Sequence, residues 1–225
     1  MNLSIIKTND GTDTLFSEAF QSTYHSTHGS FQESQTVFID SGLVYLREQG
    51  LDEIQILEIG FGSGLNTLLS LHFFYENNVS ISYLGIEKYP ISMDVAAQLN
   101  YTNVVPWSDY AHVFSSMHEQ NFFSLSDESS RFTFKKIIAD FHDFNIANQF
   151  DVIFFDAFAP NTQPEFWEAT FLQKMFLALR SGGVLVTYCA KGTFKRALKE
   201  VGFHVESLPG PKGKREMTRA HKPKS

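Results

Sequence analysis

The chain has 225 residues, 43% of them apolar and 19% charged, which suits one folded domain and excludes a disordered chain. Its single cysteine, Cys189, excludes an internal disulfide, and no run approaches the roughly 18 apolar residues of a membrane span. The net charge of −7 hides an asymmetry: residues 180–225 hold 11 Lys/Arg against 3 Asp/Glu, and residues 1–179 hold 7 against 22, so a basic C-terminal face sits on an acidic body.

The N-terminus "MNLSIIKTND" lacks a basic stretch followed by an apolar run, so no signal peptide is expected and the chain reads as cytoplasmic. Residues 1–40 are polar, with turn signals at "DGTD" and "THGS" and a short helix expected in "FSEAFQSTYH". "SQTVFIDSGLVYLREQG" reads as a helix with apolar positions Val37, Leu43, Val44 and Leu46 and a stop at Gly50. From there strands alternate with helices. "IQILEIG" is a strand, "GLNTLLSLHFFYENN" a helix, "ISYLGIE" a strand, and "PISMDVAAQLN" a helix with proline at its first position. Residues 115–135 read as helix and loop. "FTFKKIIAD" and "FDVIFFDAF" are strands, "QPEFWEATFLQKMFLALRSGG" a helix closed by glycines, "VLVTYCA" a strand, "TFKRALKEVG" a helix and "FHVESL" a final strand. Alternation of this kind predicts an α/β fold with a doubly wound, mainly parallel, Rossmann-like sheet. A run such as "VIFF" is what a strand covered on both faces requires.

The first strand runs into "LEIGFGSGLN", with glycines at 60, 62 and 64. The dinucleotide pattern G-x-G-x-x-G fails here because Leu65 stands at its third glycine. Glu87 ends the second strand, where an acid accepts from ribose hydroxyls in doubly wound folds. A glycine loop and an acid without a pyrophosphate loop favour S-adenosylmethionine (SAM) over NAD. Asp140, at the end of the next strand, is a candidate acceptor for an adenine amino group. Asp156 ends "FDVIFFD" at the same edge, fenced by Phe158, Pro160 and Trp167, and is placed where cofactor and substrate meet. The bland alternatives are a tight strand–helix turn with surface acids, and a helix cap at Asp156.

Four segments in order, "LEIGFGSGLN", "GIEKYP", "FDVIFFDAFAPNTQPEFW" and "GPKGKREM", resemble the bacterial tRNA wobble-uridine methyltransferases of the MnmD type. These correspond to the methyltransferase half of bifunctional MnmC proteins. "DGTDTLFSEAFQSTYHSTHGSFQES" is similar to that family's N-terminal segment, so the resemblance runs from about Asp10 to Met217. It implies a class I SAM-dependent methyltransferase fold, with residues 1–50 as a substrate cap and residues 51–225 as the methyltransferase domain. It also implies SAM-dependent methylation of the 5-aminomethyl group of a wobble uridine, often 2-thiolated. Ser225 comes too soon for the relatives' flavin-dependent oxidase domain, so another enzyme is expected to supply the aminomethyl substrate.

On the cofactor side the resemblance assigns Glu58, Gly60, Gly62, Gly64, Asn66, Glu87, Lys88 and Asp140, together with Asp156, Tyr24 and Glu33. Asp156 is the expected catalytic acid beside the reacting amine. Phe158 and Pro160, with Lys214 and Arg215 of "GKREM", are the expected substrate contacts. Trp167 competes between base stacking and core packing. The wider cluster of Lys212, Arg219, Lys222 and Lys224 suits phosphates. No C-x-x-C pair or histidine spacing calls for a metal, His25 and His28 included, and Cys189 reads as a buried strand residue. The readings left open are a methyltransferase for another RNA, a protein or a small amine; a non-catalytic SAM-binding or RNA-binding protein; and a nicotinamide oxidoreductase.

Overall fold

The computed structural model describes residues 2–104, 110–127 and 129–224. Strands β1 (Leu3–Lys7), β2 (Asp13–Ser17) and β3 (Ser22–Thr23) form a small antiparallel sheet. A continuous helical stretch follows: α1 (Ser30–Ser34), a π-helical segment Gln35–Val44, and α2 (Tyr45–Glu48). The main sheet holds β4 (Glu53–Ile59), β5 (Ser80–Glu87), β6 (Phe122–Asp127), β7 (Ser130–Ile138), β8 (Phe150–Phe155), β9 (Leu179–Thr187), β10 (His204–Pro209) and β11 (Glu216–His221). Their order is β10-β11-β9-β8-β4-β5-β7-β6. The five strands from β9 to β7 run parallel, while β6 and β11 pair antiparallel with their neighbours. The chain moves outward from β4 to β5 and β7, then returns to β8 on the other side of β4. This reversal opens a crevice at the carboxyl ends of β4 and β8, where doubly wound sheets bind ligands.

The apolar run of β8 follows from its place in this order, because all six of its residues are buried. Val152 and Phe154 enter one core with Ile54, Ile56, Val184 and Val186. Ile153 and Phe155 enter the other with Leu57, Ile59 and Leu185. Neither face reaches water, so there is no alternation to read. Helix α3 (Leu65–Asn77) and the π-helical segment cover the first face. Gly42 lets that segment approach the sheet closely: a Cβ there would lie 3.1 Å from the Phe154 ring. Helices α7 (Ala169–Ala178) and α8 (Gly192–Val201) cover the second face with Phe171, Leu172, Met175, Phe194 and Leu198.

Several expected elements differ. "FSEAFQSTYH" is not a helix but the end of β2, a turn with Gln21 at φ 49°, and β3. Strand β2, "DTLFS", which runs into it through Phe16 and Ser17, has four of five residues buried, and strand pairing overrides a weak helical pattern. Residues 115–135, expected as helix and loop, are the end of α6 (Ala111–Glu119) and the hairpin of β6 with β7; residue 128 lies outside the described residues. The alternating burial of "SRFTFKKII" is the strand period that the serines and charges obscured. Pro90 is not the first residue of a helix. Ser92 caps the single turn α4 (Met93–Ala96), its Oγ accepting from the Val95 N–H. The long helix expected over residues 163–183 is a 3₁₀ turn, Pro164–Trp167, followed by α7, and Leu179 to Gly183 belong to β9. "FHVESL" is not the last strand, because "EMTRAH" returns as β11 between β10 and β9.

Candidate active site

The glycine loop turns three times through left-handed backbone, at Gly60 (φ 92°), Gly62 (φ 53°) and Gly64 (φ 79°). The Gly60 and Phe61 N–H groups both donate to the Ile86 carbonyl, tying the loop to the end of β5. A Cβ on Gly60 would lie 2.8 Å from the Asp156 carbonyl oxygen, so this glycine lets the tips of β4 and β8 touch. Gly60→Ala is expected to lower stability by roughly 1–3 kcal/mol and to displace Asp156, read as a lower denaturation midpoint together with lost turnover.

A cleft of about 670 Å³ lies over this edge. Its walls include Gly60, Gly62, Asn66, Glu87, Lys88, Asp156, Tyr24 and Phe158, residues singled out in the sequence as candidate cofactor or substrate contacts. Glu87 is 8% exposed, and its carboxylate accepts from the Gly62 N–H (2.9 Å) and the Tyr89 N–H (2.7 Å). Burial raises its proton affinity, and these two donors, with the Lys88 N–H, oppose the rise. One carboxylate thereby fixes both the loop and the turn after β5. Asp156 stands opposite. The Asn66 amide donates to its Oδ2 at 2.9 Å. Surrounding protein, and then the Glu33 charge, push the Asp156 carboxyl well above the ordinary range, while Asn66 and Lys214 hold it down.

The N-terminal sheet closes the cleft from above. The Tyr24 ring rests on Gly62, which has no room for a Cβ (3.1 Å), and meets Phe158 edge-on at 5.2 Å. Phe20 faces Phe158 at 4.6 Å and Tyr89 at 6.0 Å. These rings form an apolar slot beside Asp156.

Other expected residues fall elsewhere. Gly64 opens α3 behind the cleft wall, packed against the His118 and Phe61 rings. Glu58 is fully buried behind Asn66, not in the wall. Asp140 is also outside the wall. Its carboxylate pairs with Lys88 Nζ (2.6 Å) and accepts from the His142 N–H, capping the turn Phe141–Asp143. The Lys88 hydrogen bond keeps it below its ordinary range. Glu33 is buried between the Ser26 N–H (2.7 Å) and Lys214 Nζ (2.5 Å), near the site but not lining it. Pro160 stands off the cleft. Trp167 is core, 5% exposed against Phe155 and Phe194, and its indole N–H donates to the Phe158 carbonyl and so braces the Phe158 loop. Lys214 and Arg215 line a second, shallower depression of about 850 Å³ with Tyr188, Ala190, Lys191 and Glu216. Lys214 Nζ lies 3.9 Å over the Tyr188 ring, and the Tyr188 hydroxyl donates to the Ala157 carbonyl next to Asp156. The sequence reading missed Phe20, Tyr89, Phe141 and Gln163 as wall residues. Tyr89 and Phe141 lie one or two places beyond strand-tip acids, and that position is the signal by which they were to be found.

The site is therefore a cleft with a paired-glycine floor, a carboxylate at each side and aromatic walls, on a doubly wound sheet. That combination belongs to a class: α/β folds of the methyltransferase type, with a glycine loop at the topological switch point. Residues 107–223 match a family described as S-adenosyl-L-methionine-dependent methyltransferases, and the chain belongs to it. Its relatives include two proteins named "tRNA 5-methylaminomethyl-2-thiouridine biosynthesis bifunctional protein MnmC". The one from Aromatoleum aromaticum is 28% identical over 94% of this chain and 34% of its own length. The one from Idiomarina loihiensis is 29% identical over 91% of this chain and 36% of its own. The chain thus spans about a third of the length of these relatives. MNMC2 from Aquifex aeolicus shares the fold at a TM-score of 0.77, with 23% identity, 100% of this chain and 72% of that one covered. Spermidine synthase from Thermotoga maritima does so at 0.56, with 16% identity, over 99% and 69% of the two chains.

The cleft fits S-adenosylmethionine on its own chemistry. Glu87 offers acceptors to hydroxyl groups, Phe61, Tyr89 and Phe141 offer apolar faces to a base, and left-handed Gly60 and Gly62 leave the floor free of side chains.

Proposed function

We propose that this chain methylates the 5-aminomethyl group of the wobble uridine, or 2-thiouridine, of tRNA, and that Asp156 serves the amine directly. The observation that carries this reading is Asp156 itself: a carboxylate in the cleft with the glycine loop and the aromatic slot, with the basic depression joined to it through Tyr188, whose hydroxyl donates to the Ala157 carbonyl. The names of the similar MnmC proteins supply the tRNA and the modified base.

When bound, SAM supplies a methyl group on a positively charged sulfur. The substrate is a primary amine, whose ordinary pKa of about 10 leaves it protonated at neutral pH. Asp156 Oδ1 accepts one of its protons and orients the nitrogen. The proton affinity that burial and Glu33 give Asp156 favours that transfer. Phe20, Tyr24 and Phe158 exclude water, which weakens the ammonium form, and present faces on which a splayed-out base stacks. Residues 1–50 act as a substrate cap on the domain of residues 51–225, with Phe20 and Tyr24 as its working contacts. Lys191 and Arg215 take phosphates of the anticodon strand. The primary amine must come from a different class of reaction, one that exposes an aminomethyl group on the base. The setting is cytoplasmic; among the described residues no helix is long and apolar enough to cross a membrane.

Arg215→Ala is expected to weaken tRNA binding and to reduce the slope of log affinity against log salt by about one, with SAM affinity unchanged. Titrations of tRNA at several salt concentrations read both. The reading as a whole is tested by nucleoside mass analysis of tRNA from cells lacking this gene. Accumulated 5-aminomethyl nucleoside supports it. Unchanged wobble modification rejects it in favour of another amine substrate.

A further inference from the structure

Glu58 has no contact with the cleft, yet it sits at the tip of β4 under the reacting edge, with 0% of its surface exposed. Asn66, in the first turn of α3, gives one amide hydrogen to Glu58 Oε1 at 2.8 Å and the other to Asp156 Oδ2 at 2.9 Å. A primary amide has two N–H donors, so both are committed and the two acceptors fix its plane. The amide oxygen, Asn66 Oδ1, is buried and has no hydrogen-bond partner among the described residues, so that end does not hold the group. Glu58, Asn66 and Asp156 come from β4, α3 and the end of β8, the elements that meet at the switch point.

We infer that Glu58 is a positioning residue for Asp156: its carboxyl locks the Asn66 amide, and the amide holds Asp156 Oδ2 so that Oδ1 is left for the substrate. The catalytic consequence rests on the function proposed above. The geometry it depends on does not. Burial first of all pushes the Glu58 carboxyl well above its ordinary range; the Asn66 amide opposes that rise, and the Asp156 and Glu87 charges add to it. In either protonation state Glu58 Oε1 is an acceptor for the Asn66 amide. The other charged and titratable groups acting around Asp156 are Glu33 on α1, Lys214 in the loop between β10 and β11, Tyr188 after β9, Tyr83 on β5 and Tyr101 on α5 (Tyr101–Val104). Glu33 and Lys214 pair with each other, which leaves the Asn66 amide as the neutral donor on Asp156.

The test follows the Asp156 carboxyl by ¹³C NMR across pH, its signal assigned by loss in Asp156→Asn, alongside kcat and SAM affinity. Glu58→Gln keeps an acceptor oxygen at the same place and is expected to leave the titration and kcat within about twofold. Glu58→Leu and Asn66→Ala are each expected to move the Asp156 midpoint upward and to cut kcat at neutral pH by about tenfold. For Glu58→Leu, SAM affinity stays within about threefold. The double variant adds less than about twofold to either single one, because the two residues act in series. A Glu58→Leu protein that titrates Asp156 like the wild type, or losses that multiply in the double variant, would overturn the inference. Should Glu58→Leu not fold, Asn66→Ala with an unmoved Asp156 midpoint, or Glu58→Gln with a shifted one, overturns it equally. Absence of methyl transfer by the wild-type protein counts against the proposed substrate, while the NMR titrations still decide the role of Glu58.

Discussion

Asp156→Asn is expected to lower kcat for methyl transfer by about 100- to 1,000-fold while changing SAM affinity less than about threefold. Asparagine keeps the size and one oxygen but cannot take the amine's proton. The same substitution is expected to raise the melting temperature. The Asp156 carboxyl holds its proton more tightly in the folded chain than in the unfolded one, first through burial and then through Glu33. A group with a raised folded pKa contributes stability at low pH that is lost as pH rises through that pKa. Wherever Asp156 is ionised it therefore costs stability, and the neutral amide removes that cost. Activity and stability should move in opposite directions, which separates loss of a reacting group from damage to the fold. The wild-type rate should also fall as pH drops through the raised Asp156 pKa, because the protonated acid cannot accept. Calorimetry for SAM, thermal melts and single-turnover rates across pH supply the readings. A variant that turns over at the wild-type rate removes Asp156 from the reaction.

Glu87→Ala is expected to weaken SAM binding by roughly 10- to 150-fold, the equivalent of losing one or two hydrogen bonds to a charged acceptor. The carboxylate does two things at once. It offers acceptors to the cleft, and it receives the N–H groups of Gly62 and Tyr89, which set the glycine floor and the turn carrying Lys88 and Tyr89. Glu87→Gln separates these functions. An amide there presents a donor to one of two backbone donors, so it should lose about tenfold or more in affinity even though its volume is unchanged. Isothermal titration of each variant with SAM measures both effects. Wild-type affinity in Glu87→Ala would mean that the adenosyl group does not lie at the β5 tip.

The parts of this site that could be read from the sequence are those where one chemical type recurs at a fixed place in a strand–loop–helix unit. Glu87 and Asp156 end apolar runs, and Gly60 and Gly62 follow one, so alternating strands and helices alone bring them to the same edge. Asp140 meets the same description but caps a turn and pairs with Lys88, because a strand-tip acid has local partners that a linear pattern does not reveal. Glu58 was misplaced for a related reason: at the end of β4 the side chains alternate between the two cores and the edge, and a shift of one position separates a wall residue from a buried one. Phe20 and Tyr24 reach the cleft only because residues 13–23 fold back as strands, and that depends on pairing between segments rather than on local propensity. The link from Lys214 to Glu33 joins residues 181 apart in the chain, and no local signal announces it. Trp167 shows the opposite case. Its spacing after a proline suggested either surface or core, and tight packing against Phe155 and Phe194 decided for the core.

The most direct measurement incubates the purified protein with labelled SAM and tRNA carrying 5-aminomethyl-2-thiouridine at the wobble position, then analyses the nucleosides by mass. The account predicts a single added methyl group on the aminomethyl nitrogen, absent with Asp156→Asn and absent when the tRNA lacks the aminomethyl group. Label appearing on a ring carbon, on a ribose, or on tRNA without that amine would contradict it.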